Sequence, residues 1–194
     1  MRKGRIEAFS DGVLAIIITI MVLELKVPHD SSLAALLELL PVFLGYVLSF
    51  VFIGIYWNSH HHLFQVTKKI SGAVMWANLH LLFWLSLIPF ATGWMGENDF
   101  AALPTAEYGV ALVLSGIAYS ILQHRIMLIQ GSDSALARHI GAASKDKLSI
   151  ALYAVAIPLT FWQPMISGML YVTVALIWLV PDRRLERALE LGSG

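Results

Sequence analysis

The chain has 194 residues, 58% of them hydrophobic and 13% charged, with thirteen basic side chains against thirteen acidic ones and a mean hydropathy of +0.72. That balance excludes a soluble domain of this size and marks a membrane protein, with lipids as its surroundings and no nucleic-acid partner expected. The complete lack of cysteine removes disulfides, iron–sulfur clusters, thiolate zinc sites and thiol nucleophiles together.

Met1, Arg2, Lys3 and Arg5 precede the first apolar run, and no small-residue cleavage site follows it. The first span is therefore expected to be retained rather than removed as a signal peptide. Crossing the hydrocarbon core takes about 17 to 25 apolar residues as helix. Six stretches approach that length: residues 8–27, 33–57, 70–94, 105–129, 148–162 and 165–180. The last two are short, and the hairpin at Gln163 and Pro164 either crosses fully or re-enters. Lys145 and Lys147 before it, and Arg183 and Arg184 after it, keep its ends on one side in both cases. Pro41, Pro89 and Pro158 lie in or near span interiors, where a neighbouring helix must compensate the lost backbone bond. Residues 1–190 read as one all-α domain of six transmembrane helices, and residues 191–194 as a tail left by cloning.

With that order, Arg2, Lys3, Arg5, Lys68, Lys69, Arg125, Arg138, Lys145, Lys147, Arg183, Arg184 and Arg187 share one side, and Lys26 stands alone on the other. The excess of positive charge places both termini in the cytoplasm and the protein in the cell (inner) membrane. The outer face carries Glu24, Asp30, Glu38, Glu97, Asp99 and Glu107. Its field gathers cations, although the scarcity of Lys and Arg in translocated loops is the better account of the asymmetry.

An ionisable residue such as Asp11 is costly inside a span and calls for partners. At its depth the chain collects Arg5 and Ser10 from the first helix, Trp57, Asn58, His60, His61 and His62 from the second, and Asn78 and His80 from the third. A hydrogen-bonded knot is expected there, holding the first helix against the next two. The adjacent histidines at 60–62 point about 100° apart on a helix, whereas metal ligands sit three or four apart, so a metal centre is not expected. Histidines near a helix C-terminus are favoured by the macrodipole in any case.

Above Asp11, Ile16, Ile20 and Leu23 fall on one helical face, with Val13 below and Val27 above. Asp11, Leu14, Ile18 and Val22 occupy another side. If the Asp11 side turns inward, the Ile16 stripe faces lipid, a packing neighbour or something else.

The run R-x-x-x-F-S-D at Arg5, Phe9, Ser10 and Asp11, opening a helix that ends LELKVP, resembles the family of the endolysosomal potassium channel, transmembrane protein 175, and its prokaryotic homologues. YWNSHHHLF (56–64) and NLHLLFWLSLIPFAT (78–92) are similar to that family's pattern too, so the likeness covers about the first half of the chain. It implies a homotetramer in which four copies of the first helix line a pore for monovalent cations. Its narrowest ring would be Ile16, followed by Ile20 and Leu23 as apolar layers and Thr19 as a polar lining. It also implies that Arg5, Phe9, Ser10 and Asp11, with Trp57, Asn58, His60, His61 and Asn78, form the structural network that fixes the pore helix. No cofactor and no enzymatic activity follow from it, only permeant potassium.

An isoleucine ring offers no carbonyls to replace a hydration shell, so a cation must shed part of its water there. Potassium loses water more cheaply than sodium, and a modest potassium preference is expected. ATGWMGEN (91–98) has its glycines out of register with a carbonyl-lined filter and no pore helix before it. A secondary transporter using intramembrane Asp and His is the alternative class, but the chain shows no inverted repeat.

Overall fold

A computed structural model describes residues 3–130 and 144–179. The expectations placed on Arg2, Arg138, Arg183, Arg184, Arg187 and the 191–194 tail lie outside the described residues. Eight helices run in chain order among those described: α1 (Lys3–Leu23), α2 (Leu33–Glu38), α3 (Leu40–Gln65), α4 (Gly72–Ser86), α5 (Ile88–Glu97), α6 (Ala102–Gln130), α7 (Ser144–Leu159) and α8 (Pro164–Leu179).

Proline decides where the expected spans break. The stretch expected as one span over 33–57 is a short α2, capped by Ser32 accepting from the Ala35 amide at 3.3 Å, and a separate α3. Pro41 sits in the first turn of α3, where its missing N–H and fixed φ do no harm. The same device divides the third stretch at Leu87, with Pro89 in the first turn of α5. α4 and α5 still run on as one membrane-length unit, Gly72–Glu97. α1 stops at Leu23 instead of reaching Val27, because Val27 precedes Pro28 and is pushed toward extended backbone. α3 in turn carries on to Gln65, so Asn58 and the three histidines remain helical.

Among the described residues, four units are long and apolar enough to cross a bilayer: Lys3–Leu23, Leu40–Gln65, Gly72–Glu97 and Ala102–Gln130. The chain is a multi-pass, all-helical membrane protein. α7 and α8 have 16 residues each, a rise of about 24 Å, and form a hairpin whose turn starts at Thr160.

α1 packs on α3, α4 and α5, while α7 and α8 pack on α6 and on each other, α8 also touching α3. α1 and the terminal hairpin thus sit against different parts of the central helices. In lipid, apolar burial does not drive helices together, so close approach and hydrogen bonding must. Both are present. A Cβ on Gly96 would lie 2.7 Å from Val42 Cα, so the bare glycine lets α5 meet α3 backbone to backbone. A Cβ on Gly109 would lie 2.2 Å from the Tyr171 hydroxyl, which α6 thereby admits to donate to the Thr105 carbonyl at 3.1 Å. Ser49 contacts Thr92 Oγ1 at 2.6 Å and Tyr108 Oη at 2.9 Å, and Thr92 donates to the Ile88 carbonyl at 2.7 Å. The order of donors is then Tyr108 to Ser49, Ser49 to Thr92, and Thr92 to backbone, which joins α6, α3 and α5.

Candidate pore helix and its anchoring network

α1 has one face inside the protein and one outside. Ile6, Ser10, Leu14, Ile17 and Met21 are buried at spacings of three and four, a single stripe toward α3, α4 and α5. Hydrocarbon alone cannot set that rotation, because an isoleucine is as comfortable in lipid as against a neighbour. The polar residues set it. Asn78 Nδ2 of α4 donates to Ser10 Oγ at 2.9 Å, and Asn78 Oδ1 lies 2.8 Å from His60 Nε2 of α3. Since Asn78 contributes its carbonyl there, the His60 ring carries its proton on Nε2. His60 also stacks on Phe64, with centroids 4.4 Å apart, and all three polar members are buried. Turning α1 away would break the Asn78–Ser10 bond and strand two polar groups in an apolar medium.

Asp11 takes the Trp57 indole N–H at 3.1 Å, and Trp57 stacks on His61, which meets the Gln65 amide at 2.8 Å. This second tier lies at the rim and is exposed in the single chain. At the start of α1, Lys3 donates to the Gln65 carbonyl at 3.1 Å.

The expected knot therefore divides. Ser10, Asp11, Trp57, His60, His61 and Asn78 are brought together. Arg5 makes no ion pair with Asp11 among the described residues, and Asn58 and Phe9 lie exposed, Phe9 at 54%. The His62 ring lies 5.8 Å from that of His61, but its Nδ1 is buried with no hydrogen-bond partner among the described residues, and His80 is engaged by the Trp84 indole at 2.8 Å. No group of three His, Asp or Glu is placed to hold a metal among the described residues.

Across α1 from the buried stripe, Ile16 is 58% exposed, Ile20 42% and Leu23 79%. Val13 is half-buried, and Val27 has left the helix. Thr19 is exposed and donates its hydroxyl back to the Ile16 carbonyl at 2.9 Å, leaving its oxygen lone pairs outward. Val13, Ile16 and Ile20 form one wall of an open groove of about 550 Å³ whose other wall is Pro89, Phe90 and Trp94 of α5. Glu24 and Glu97 stand at its end, where Lys26 pairs with Glu97. The hydrogen bond and charge of Glu97 raise Lys26 above the ordinary lysine value. The Ser49, Thr92 and Tyr108 bridge, and the tyrosines packed between α3, α6, α7 and α8, were not legible as a set: hydroxyls are common in spans, and only the packing shows which ones meet.

A sequence model of the family described as "Endosomal/lysosomal potassium channel TMEM175" matches residues 5–89, a stretch that contains the whole anchoring network. A protein named as a potassium channel from Chryseobacterium sp. is 56% identical over 190 residues, covering 98% of this chain and 99% of that one. The chain belongs to the TMEM175 family. The relationship runs through the entire length, beyond the first half that carries the motifs. The crystal structure of a lysosomal potassium-selective channel TMEM175 homolog from Chamaesiphon minutus superposes with a TM-score of 0.81 at 29% identity, over 92% of this chain and 96% of that one. The chicken endosomal/lysosomal proton channel TMEM175 is 38% identical over 103 residues, which is 47% of this chain and 21% of that larger protein. These relatives are ion channels rather than enzymes, and the chain is a prokaryotic-type TMEM175 member.

Proposed function

We propose that the protein is a potassium channel of the inner membrane, a homotetramer of six-span subunits with both termini cytoplasmic, in which four copies of α1 line the pore. The observation that carries this reading is the two-sidedness of α1: one face is fixed by Ser10, Asn78 and His60, and the opposite face leaves Ile16, Ile20 and Leu23 exposed among the described residues. Permeation is through the ring of Ile16, the tightest level, with Ile20 and Leu23 above it and the Thr19 oxygen beside it. Arg5, Phe9 and Asn58, exposed among the described residues, act at contacts between copies or with lipid headgroups.

At the ring an ion meets branched hydrocarbon on all sides, so it loses part of its water without protein oxygens to replace it. Potassium, with the weaker hydration, passes more readily than sodium, and the conductance is low. The names of the bacterial relatives as potassium channels support the choice of ion. Purified protein in liposomes under opposed potassium and sodium gradients tests it. An uncoupled current reversing on the potassium side is expected, whereas flux that requires exchange with protons would remove the channel reading.

A further inference from the structure

Away from α1, the first turn of α7 carries Asp146 just ahead of the apolar stretch, and its carboxyl is mostly buried. It borders a small apolar space of about 30 Å³ walled by Phe52 and Ile55 of α3, Ile150 and Tyr153 of α7 and Trp178 of α8. Asp146 is the one charged side chain of that lining among the described residues. The groups that face it from the packed helices are the Tyr56 hydroxyl of α3 and the Tyr119 hydroxyl and Gln123 amide of α6. Gln123 hydrogen-bonds both Asp146 and Tyr119, and Tyr119 gives its own proton to the Ser59 carbonyl at 3.1 Å. α8 presents only the Trp178 indole, which donates to Ser149 at 2.8 Å. The charged neighbours in sequence point elsewhere: His124, Arg125 and Lys147 are exposed, and Lys145 reaches the Ile177 carbonyl at 3.5 Å.

An ionised carboxylate needs water or a cation beside it, and this one has a single amide set against hydrocarbon and ring faces. Burial therefore favours the protonated form and raises Asp146 above its ordinary value of 3.8, with the Gln123 hydrogen bond opposing it. The positive end of α7 favours charge too, but a helix start is a weaker influence than desolvation. We propose that Asp146 is a proton-binding site that latches the terminal hairpin: with the proton on, the first turn of α7 seats against α3 and α6, and with the proton off it draws in water and lifts away. Tyr56 and Tyr119 are neutral phenols in the range where a carboxyl titrates, so Asp146 is the group that switches. Because its folded value is the higher one, the stabilisation is complete below 3.8 and is lost as pH climbs through the folded value.

The purified protein in detergent is melted from about pH 4 to about pH 8 beside Asp146→Asn, which keeps the shape of the neutral carboxyl and cannot titrate. The wild type is expected to match Asp146→Asn at the acid end and to fall several degrees below it at the alkaline end. Over the same range, hydrogen-exchange protection of amides 145–152 drops several-fold in the wild type and holds in Asp146→Asn. Gln123→Leu removes the bond that favours charge, so its loss of stability extends to higher pH. Parallel curves for wild type and Asp146→Asn, which assign the pH response to other groups, overturn the proposal. So does an Asp146→Asn protein less stable than wild type at the alkaline end, which means that the site holds the charge. If Asp146→Asn fails to fold, wild-type protection at 145–152 that stays constant relative to α1 across the range is decisive against it.

Discussion

Asn78 donates to Ser10 at 2.9 Å from one end of its carboxamide and accepts from His60 at the other, 2.8 Å away, so one side chain of α4 ties α1 to α3. Every orientation of the isoleucine stripe follows from that link, because the apolar residues of α1 have no preference between lipid and protein.

Replacing Asn78 with Ala orphans Ser10 and His60, both buried. The expected loss is about 1–3 kcal/mol per subunit. It is measured as a lower melting temperature in detergent and a smaller share of assembled oligomer by size exclusion. Trp57→Phe, which removes only the rim bond to Asp11, costs less.

Ile16 and Ile17 are neighbours in sequence and opposites in environment, 58% against 3% exposed. Ile16→Ala widens the proposed ring: higher single-channel conductance and weaker discrimination between potassium and sodium are expected, at unchanged stability. Ile17→Ala opens a void among packed side chains and costs about 2 kcal/mol, the low end for such truncations because lipid supplies little transfer term. Its selectivity, read from bi-ionic reversal potentials, stays that of the wild type.

Gly109 is needed for space. Gly109→Ala places a methyl against the Tyr171 hydroxyl and the Ile157 side chain, 3.0 Å from Ile157 Cγ1, with an expected cost of about 1–3 kcal/mol. Combining it with Tyr171→Phe recovers part of the loss, and the melting temperatures of the two singles and the double give the coupling.

The Lys26 and Glu97 pair is exposed, and such pairs add little to stability. Because Lys26 is raised by Glu97, the link holds fully below the ordinary lysine value of 10.5 and is lost only as pH climbs through the higher folded value. Lys26→Gln is expected to leave the melting temperature nearly unchanged from about pH 6 to about pH 9. It is expected to raise potassium current at low salt, where the field of Glu24 and Glu97 is unscreened, and to have no such effect at high salt.

Much of this was legible in the sequence where polarity is rare. Ser10, Asp11, Trp57, His60 and Asn78 stand out in apolar helices, and depth alone brings them to one level. Rotation was harder: Arg5, Phe9 and Asn58 share that level but point out of the bundle, because neighbours on a helix diverge by about 100°. The breaks at Leu39 and Leu87 depend on whether a proline opens a new helix or bends an old one, which composition does not decide. The hydroxyl groups between α3, α6, α7 and α8 depend on close approach permitted by Gly109, visible only once the helices are placed.

The chain contains no cysteine, so single cysteines on α1 report which face meets the ion path. Currents are recorded from Ile16→Cys, Ile20→Cys, Ile17→Cys and Met21→Cys before and after a cationic thiol reagent. Block at 16 and 20 with silence at 17 and 21 is the predicted result; block at 17 and 21, or none at 16, contradicts a pore lined by this stripe.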